Sequence, residues 1–211
     1  MVDFRLYLIT DRTQTAGRAL PAVVADALRG GLRAVQLREK DLTGSQLFEL
    51  AGELRKVTRE HGAQLLINDR IDIALAVAAD GVHLGSSSLP VAAARRILGS
   101  DRVIGYSAHS LDEAQQAERD GADFVTFGPV YATPAKLPFG EPLGPSLLAQ
   151  AARKLSIPVF ALGGVKISSV SEVMSSGAHG IALISAIIAA PDPTAATASL
   201  LRTIAHHDCS S

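Results

Sequence analysis

Eight short apolar runs alternate with longer stretches of helical periodicity, and this constrains the fold more than any other feature of the chain. The strand candidates are residues 5–10, 32–37, 64–67, 81–84, 102–106, 123–127, 158–162 and 179–184. Helix candidates fill the gaps, at 21–30, 43–62, 71–79, 90–98, 110–121, 145–155, 169–177 and 194–206. Their ends carry ordinary punctuation. Pro21 suits a first helical position and Gly30-Gly31 a helix end. Thr43 with Gln46, Ser110 with Glu113 and Ser169 with Glu172 all have the spacing of a capping box.

A regular βα alternation argues a parallel sheet. Eight units in 211 residues point to one closed (β/α)₈ TIM barrel. The competing open sheet usually shows a glycine fingerprint after its first strand. Here Asp11-Arg12-Thr13 follows instead. The barrel is expected to span residues 1–207, with a short polar tail at 208–211.

Composition removes several function classes. Lys+Arg 20 against Asp+Glu 21 gives a net charge of -1, without a basic stripe. Nucleic acid and anionic membrane are therefore not expected partners. Aromatics are 4% and Trp is absent, which leaves little to stack bases on. The longest apolar run, Ile181 to Ala190, is interrupted by Ser185 and is too short to span a bilayer. The N-terminal stretch is too short and too charged for a signal peptide. The single Cys209 has no intrachain partner, which fits a reducing cytoplasm. Whether the chain self-associates into a homo-oligomer stays open.

In such barrels the chemistry sits at the C-terminal ends of the strands. The run Ala34 to Lys40 (AVQLREK) is the most informative of these ends. Strand alternation turns Val35 and Leu37 one way and Gln36, Arg38 and Lys40 the other. An amide and two cations facing inward are costly unless something pairs them. The pattern reads as a pocket floor for an anion, and an edge strand with one wet face is the alternative. The other ends agree. Asn68-Asp69-Arg70 follows the third strand, Gly85-Ser86-Ser87-Ser88 the fourth and Ser107 the fifth. A loop with Thr133 and Lys136 follows the sixth, Gly163-Gly164 the seventh and Ser185 the eighth.

Two phosphate-binding regions follow. Gly163-Gly164 and the Ser185 turn match the place where barrels often hold a phosphate on backbone N–H groups. Two glycines in a plain tight turn are the alternative. Arg38, Lys40 and Lys136 suit a more highly charged group such as a diphosphate. Asp69 adds a hard oxygen ligand for Mg²⁺, unless it merely pairs with Arg70. His83 reads equally as an interior histidine or a catalyst. No cluster has zinc-ligand spacing, and the three serines lack a His and Asp set for a hydrolase triad.

Tyr7 to Asp11, Val35 to Lys40, Ile67 to Arg70, Gly81 to Gly85, Phe127 to Val130 with Thr133 and Lys136, and Gly163-Gly164 occur in one order. In that order they resemble the thiamine phosphate synthase family over essentially the whole chain. The resemblance implies a transferase joining hydroxymethylpyrimidine diphosphate to thiazole phosphate, with Mg²⁺ as cofactor. It implies that Gln36, Arg38, Lys40 and Asn68 hold the pyrimidine diphosphate. Asp69 would ligate Mg²⁺, and Ser107 and Lys136 would contact the diphosphate. Thr133, Gly164, Ile184 and Ser185 would hold the thiazole phosphate. Among these, Arg38, Lys40, Ser107 and Lys136 would carry catalysis.

The chain departs from the family pattern at two places. Ser88 stands where a second acidic Mg²⁺ ligand is usual, and Ala135 where a second hydroxyl residue is usual. The related thiazole tautomerases also lose that second acid. They tend to lose the first as well, and to carry a histidine where Pro129 stands here. A tautomerase and a non-catalytic binder of thiamine precursors are thus the alternatives.

Overall fold

A computed structural model describes residues 2–133 and 141–208. The strands are β1 (Leu6–Ile9), β2 (Ala34–Leu37), β3 (Gln64–Asn68), β4 (Gly81–Leu84), β5 (Val103–Ala108), β6 (Phe124–Phe127), β7 (Val159–Leu162) and β8 (Gly180–Leu183). They pair in chain order and all in parallel, and β8 returns to β1, so the barrel is closed. A closed sheet has no edge, which removes the edge-strand alternative for β2.

Between strands lie α1 (Leu20–Arg29), α2 (Gly44–Glu60), α3 (Ile71–Ala76), α4 (Val91–Leu98), α5 (Leu111–Arg119), α6 (Gly144–Lys154) and α7 (Val170–Ser175). After β8 come α8 (Ser185–Ile188) and α9 (Pro193–Asp208). Among the described residues no helix is long and apolar enough to cross a membrane.

The strand register sorts side chains into two apolar layers. Leu8, Val35, Leu65, Val82, Ile104 and Val125 pack outward against the helices. Phe4, Tyr7, Leu66, Phe124 and Phe160 fill the lower interior. Phe124 stands edge-on to Phe4, Tyr7 and Phe160, with ring centroids 5.6, 5.4 and 5.3 Å away. Each such burial stabilises the barrel by about 1.5–3 kcal/mol. The barrel is thus a packed core, not a pore.

Two of the three capping boxes differ from the sequence reading. Thr43 and Gln46 form a complete box. The Ser110 hydroxyl accepts from Glu113 N at 3.1 Å, but the Glu113 carboxylate reaches one residue further back, to His109 N at 2.7 Å. Ser169 does not cap α7. Its hydroxyl closes a 3₁₀ turn instead, accepting from Lys166 N and donating to Lys166 O, both at 3.0 Å.

Candidate active site

β2 ends at Leu37, so the inward alternation stops sooner than the sequence suggests. Gln36 points inside and is 1% exposed. Arg38 is half-buried, and Lys40 is exposed in a turn rather than continuing the strand face. What turns the chain here is Glu39, buried at 5% exposure. Its carboxylate accepts from the Thr10 hydroxyl at 2.7 Å, from Arg12 N at 3.1 and 3.2 Å, and from the Arg12 guanidinium at 3.2 Å. The Thr10 oxygen in turn accepts from Arg38 N at 2.9 Å. Asp41 holds the same guanidinium through both its oxygens, and this pulls the Asp41 carboxyl below its usual range. The latch joins the ends of β1 and β2 and sets where the Arg38 backbone lies. The sequence reading missed Glu39. Its signal was a carboxylate wedged between two cations.

Asn68 closes β3 and is half-buried. Asp69 follows in a left-handed conformation, φ +65°, with its N–H donating to His83 O at 2.9 Å. Asp tolerates this region better than most residues, yet it is uncommon. Arg70 pairs with Asp72 at 2.6 Å and not with Asp69. The exposed Asp69 carboxylate makes no ion pair among the described residues. Ser88, in the position of the missing acid, accepts from Gly85 N at 2.8 Å and closes a turn; α4 begins after Pro90 without a side-chain cap.

No group of three or more His, Cys, Asp or Glu that could hold a metal occurs among the described residues. A metal caged wholly by protein carboxylates does not fit this mouth. Mg²⁺ held by one carboxylate, waters and substrate phosphates does.

Below the strand ends lies a polar row from five strands. Gln36 Nε2 donates to the Tyr7 hydroxyl at 3.1 Å, which lies 3.4 Å from His83 Nδ1. His83 Nε2 is 2.9 Å from Ser107 Oγ, and Ser107 Oγ is 3.2 Å from Thr126 Oγ1. A Cβ on Gly105 would come within 2.5 Å of His83 Nδ1, so only glycine leaves room for the ring. Burial, aided by the charge of Arg38, holds the His83 pKa down at about 3. His83 is therefore a neutral interior histidine. Burial also raises the Tyr7 phenol well above its ordinary value, against the opposing bond from Gln36. Tyr7 and Thr126 were not singled out from sequence, although both lie at inward-facing positions of their strands.

The residues expected to hold a phosphate, Gly163, Gly164, Ile184 and Ser185, lie at the ends of β7 and β8. Gly163 and Gly164 have φ of +93° and +66°. Added Cβ atoms would meet Pro129 Cβ at 2.6 Å and Ala132 O at 2.7 Å. The pair therefore does more than turn the chain: it lets the β6 loop pack close, with Tyr131 N donating to Gly163 O at 3.0 Å. Ile184 precedes α8 and Ser185 opens it, exposed. This one-turn helix was hidden inside the apolar run. Thr133 is half-buried at the end of a described segment, and Lys136 lies outside the described residues.

Fold and mouth together define a (β/α)₈-barrel enzyme. The chain belongs to the thiamine monophosphate synthase family, whose pattern matches residues 6–187. A thiamine-phosphate synthase of Chloroflexus aurantiacus is 47% identical over 95% of this chain and 92% of its own. One from Roseiflexus castenholzii is 44% identical over 92% of this chain and 86% of its own. The solved thiamine phosphate pyrophosphorylase from Pyrococcus furiosus superposes with a TM-score of 0.88 at 37% identity, covering 96% of each chain.

Proposed function

We propose that the chain joins a hydroxymethylpyrimidine diphosphate to a thiazole phosphate, releasing diphosphate and forming thiamine phosphate. One observation carries the reading of the site. Among the described residues Arg38, Lys40 and Asp69 make no side-chain hydrogen bond or ion pair at their strand ends, whereas Asp80 and Asp123 at the opposite end each hold an arginine. Unpaired charge at a mouth is where a charged ligand is stabilised.

In the reaction the bond between the pyrimidine methylene and the diphosphate oxygen breaks, and the electron pair leaves with diphosphate. The thiazole nitrogen lone pair then closes the new C–N bond. Arg38 and Lys40 face the charge that develops on the leaving group, Arg38 as a planar fork and Lys40 as a mobile point charge. Ser107 and Lys136 are assigned further contacts to the diphosphate. Gln36 and Asn68 are assigned to the pyrimidine half. Thr133, Gly164, Ile184 and Ser185 are assigned to the thiazole phosphate, on amides at the start of α8 that have no intrahelical acceptor. Asp69 would hold Mg²⁺, which would supply further neutralisation of the leaving diphosphate.

The test is direct. Purified protein with both phosphorylated precursors and Mg²⁺ should yield thiamine phosphate. Thiazole tautomer conversion alone, or binding without turnover, would contradict the reading.

A further inference from the structure

The interior row has a direction, and that direction reaches the site. Tyr7 receives a hydrogen bond from Gln36 Nε2, so its own proton must go elsewhere. His83 Nδ1, 3.4 Å away, lies within reach of that proton. A nitrogen that accepts cannot also carry the ring proton, so the proton of a neutral ring sits on Nε2. Nε2 lies 2.9 Å from Ser107 Oγ. Ser107 then accepts from the ring, and its hydroxyl proton is left to donate. Within the protein that proton can rest on Thr126 Oγ1 at 3.2 Å. Ser107 is half-buried near the end of β5, so the mouth offers the other acceptor.

We propose that His83 is a positioning residue for Ser107. Through the order Gln36, Tyr7, His83, Ser107 it fixes the serine as a hydrogen-bond donor toward an anion bound at the mouth. The ring is buried, at 2% exposure, so solvent does not compete for either nitrogen. The inference rests on reading Ser107 as a diphosphate contact. It adds that three residues from three other strands set which way its proton points.

Nitrogen NMR of histidine-labelled full-length protein tests the direction without turnover. The His83 signals, identified by their loss in His83→Gln, should show a neutral ring protonated on Nε2. Tyr7→Phe should release that preference into a mixture of tautomers. In kinetics, His83→Leu should lower kcat for coupling about 10-fold or more, as losing an outer hydrogen-bond partner commonly does. The KM for thiazole phosphate should stay unchanged. His83→Gln, whose amide can still donate to Ser107, should recover part of the loss. Inorganic diphosphate should inhibit His83→Leu more weakly than the wild type.

A ring protonated on Nδ1, or a Tyr7→Phe variant with wild-type tautomer and kcat, would overturn the relay. Ser107→Ala at wild-type kcat would instead remove the diphosphate contact itself. The two failures are therefore distinguishable, and the wild-type spectrum decides the first even if a variant fails to fold.

Discussion

Two carboxylates at the floor of the barrel are paired, while three charges at its mouth, beside the Arg12–Glu39–Asp41 latch, are not. At the N-terminal floor, Asp80 just before β4 accepts from Arg55 of α2 at 2.5 and 3.1 Å and from Leu65 N at 2.7 Å. Asp123 just before β6 repeats the device with Arg95 of α4 at 2.6 Å and Ile104 N at 2.7 Å. Each carboxylate ties a helix to the start of the preceding strand. At the C-terminal mouth, Arg38, Lys40 and Asp69 have no such partners among the described residues. The two paired carboxylates brace the barrel, and the three mouth charges without a hydrogen-bonded partner are the ones assigned to a ligand. A cavity of about 340 Å³ lined by Asp80, Asp101 and Arg102 also lies at the floor, which shows that concavity alone does not locate the chemistry.

The largest break in this comparison should come from the mouth. Arg38→Ala should reduce kcat for coupling about 100-fold or more, as removal of a preorganised charge contact does. Its stability should move by no more than about 0.5 kcal/mol, the usual range for a group with no structural partner. Steady-state kinetics beside urea unfolding checks both halves. Floor substitutions should behave the other way. Asp80→Ala strands Arg55 and the Leu65 N–H, and should cost about 2 kcal/mol of stability while leaving kcat near wild type. A large kcat loss in a folded Asp80→Ala would erase the distinction.

How much of this was legible in the sequence depends on how far apart the partners lie. The eight strands, the Thr43 capping box and the placing of polar residues at strand ends all rest on local periodicity, and they stand in the structure. The Glu39 latch does not, because it needs Thr10 and Arg12 from β1 and its following turn. The row through Tyr7, Gln36, His83, Ser107 and Thr126 joins five strands, so only the closed register reveals it. Lys40 was assigned to a strand face because alternation has no inherent stop. The left-handed backbone of Asp69 has no side-chain signature, and α8 is too short to show a helical period. Lys136 falls outside the described residues, and its assignment stays with the proposed function.

His83 lies between the two ends and sharpens the comparison through pH. Its folded pKa, about 3, is below its ordinary value of 6.5. Between those values the unfolded chain binds a proton that the folded chain refuses, so stability falls as pH drops. The loss is absent above pH 6.5, proceeds at up to about 1.4 kcal/mol per pH unit below it, and levels off once the buried ring is protonated. Urea unfolding of wild type and His83→Gln across that window should show the wild type losing more. Parallel curves would mean that the ring is not held neutral by burial.

The smallest effect concerns the metal. Ser88 spends its oxygen on Gly85 N, and an aspartate there can accept the same bond with one oxygen to spare. Ser88→Asp should lower the Mg²⁺ concentration for half-maximal coupling by a few-fold, and Asp69→Ala should remove the Mg²⁺ response. Superimposable Mg²⁺ titrations for wild type and Ser88→Asp would place the ion away from residue 88.

Thermal unfolding of wild type and Arg38→Ala, each with and without inorganic diphosphate and Mg²⁺, tests most directly whether the unpaired charge of the mouth serves a ligand. A ligand that binds only the folded state raises Tm. The wild type should gain Tm on addition of diphosphate and Mg²⁺. Arg38→Ala should start at the wild-type Tm or above it and gain little. A variant that unfolds several degrees lower without ligand, or that gains as much as the wild type, would contradict this account.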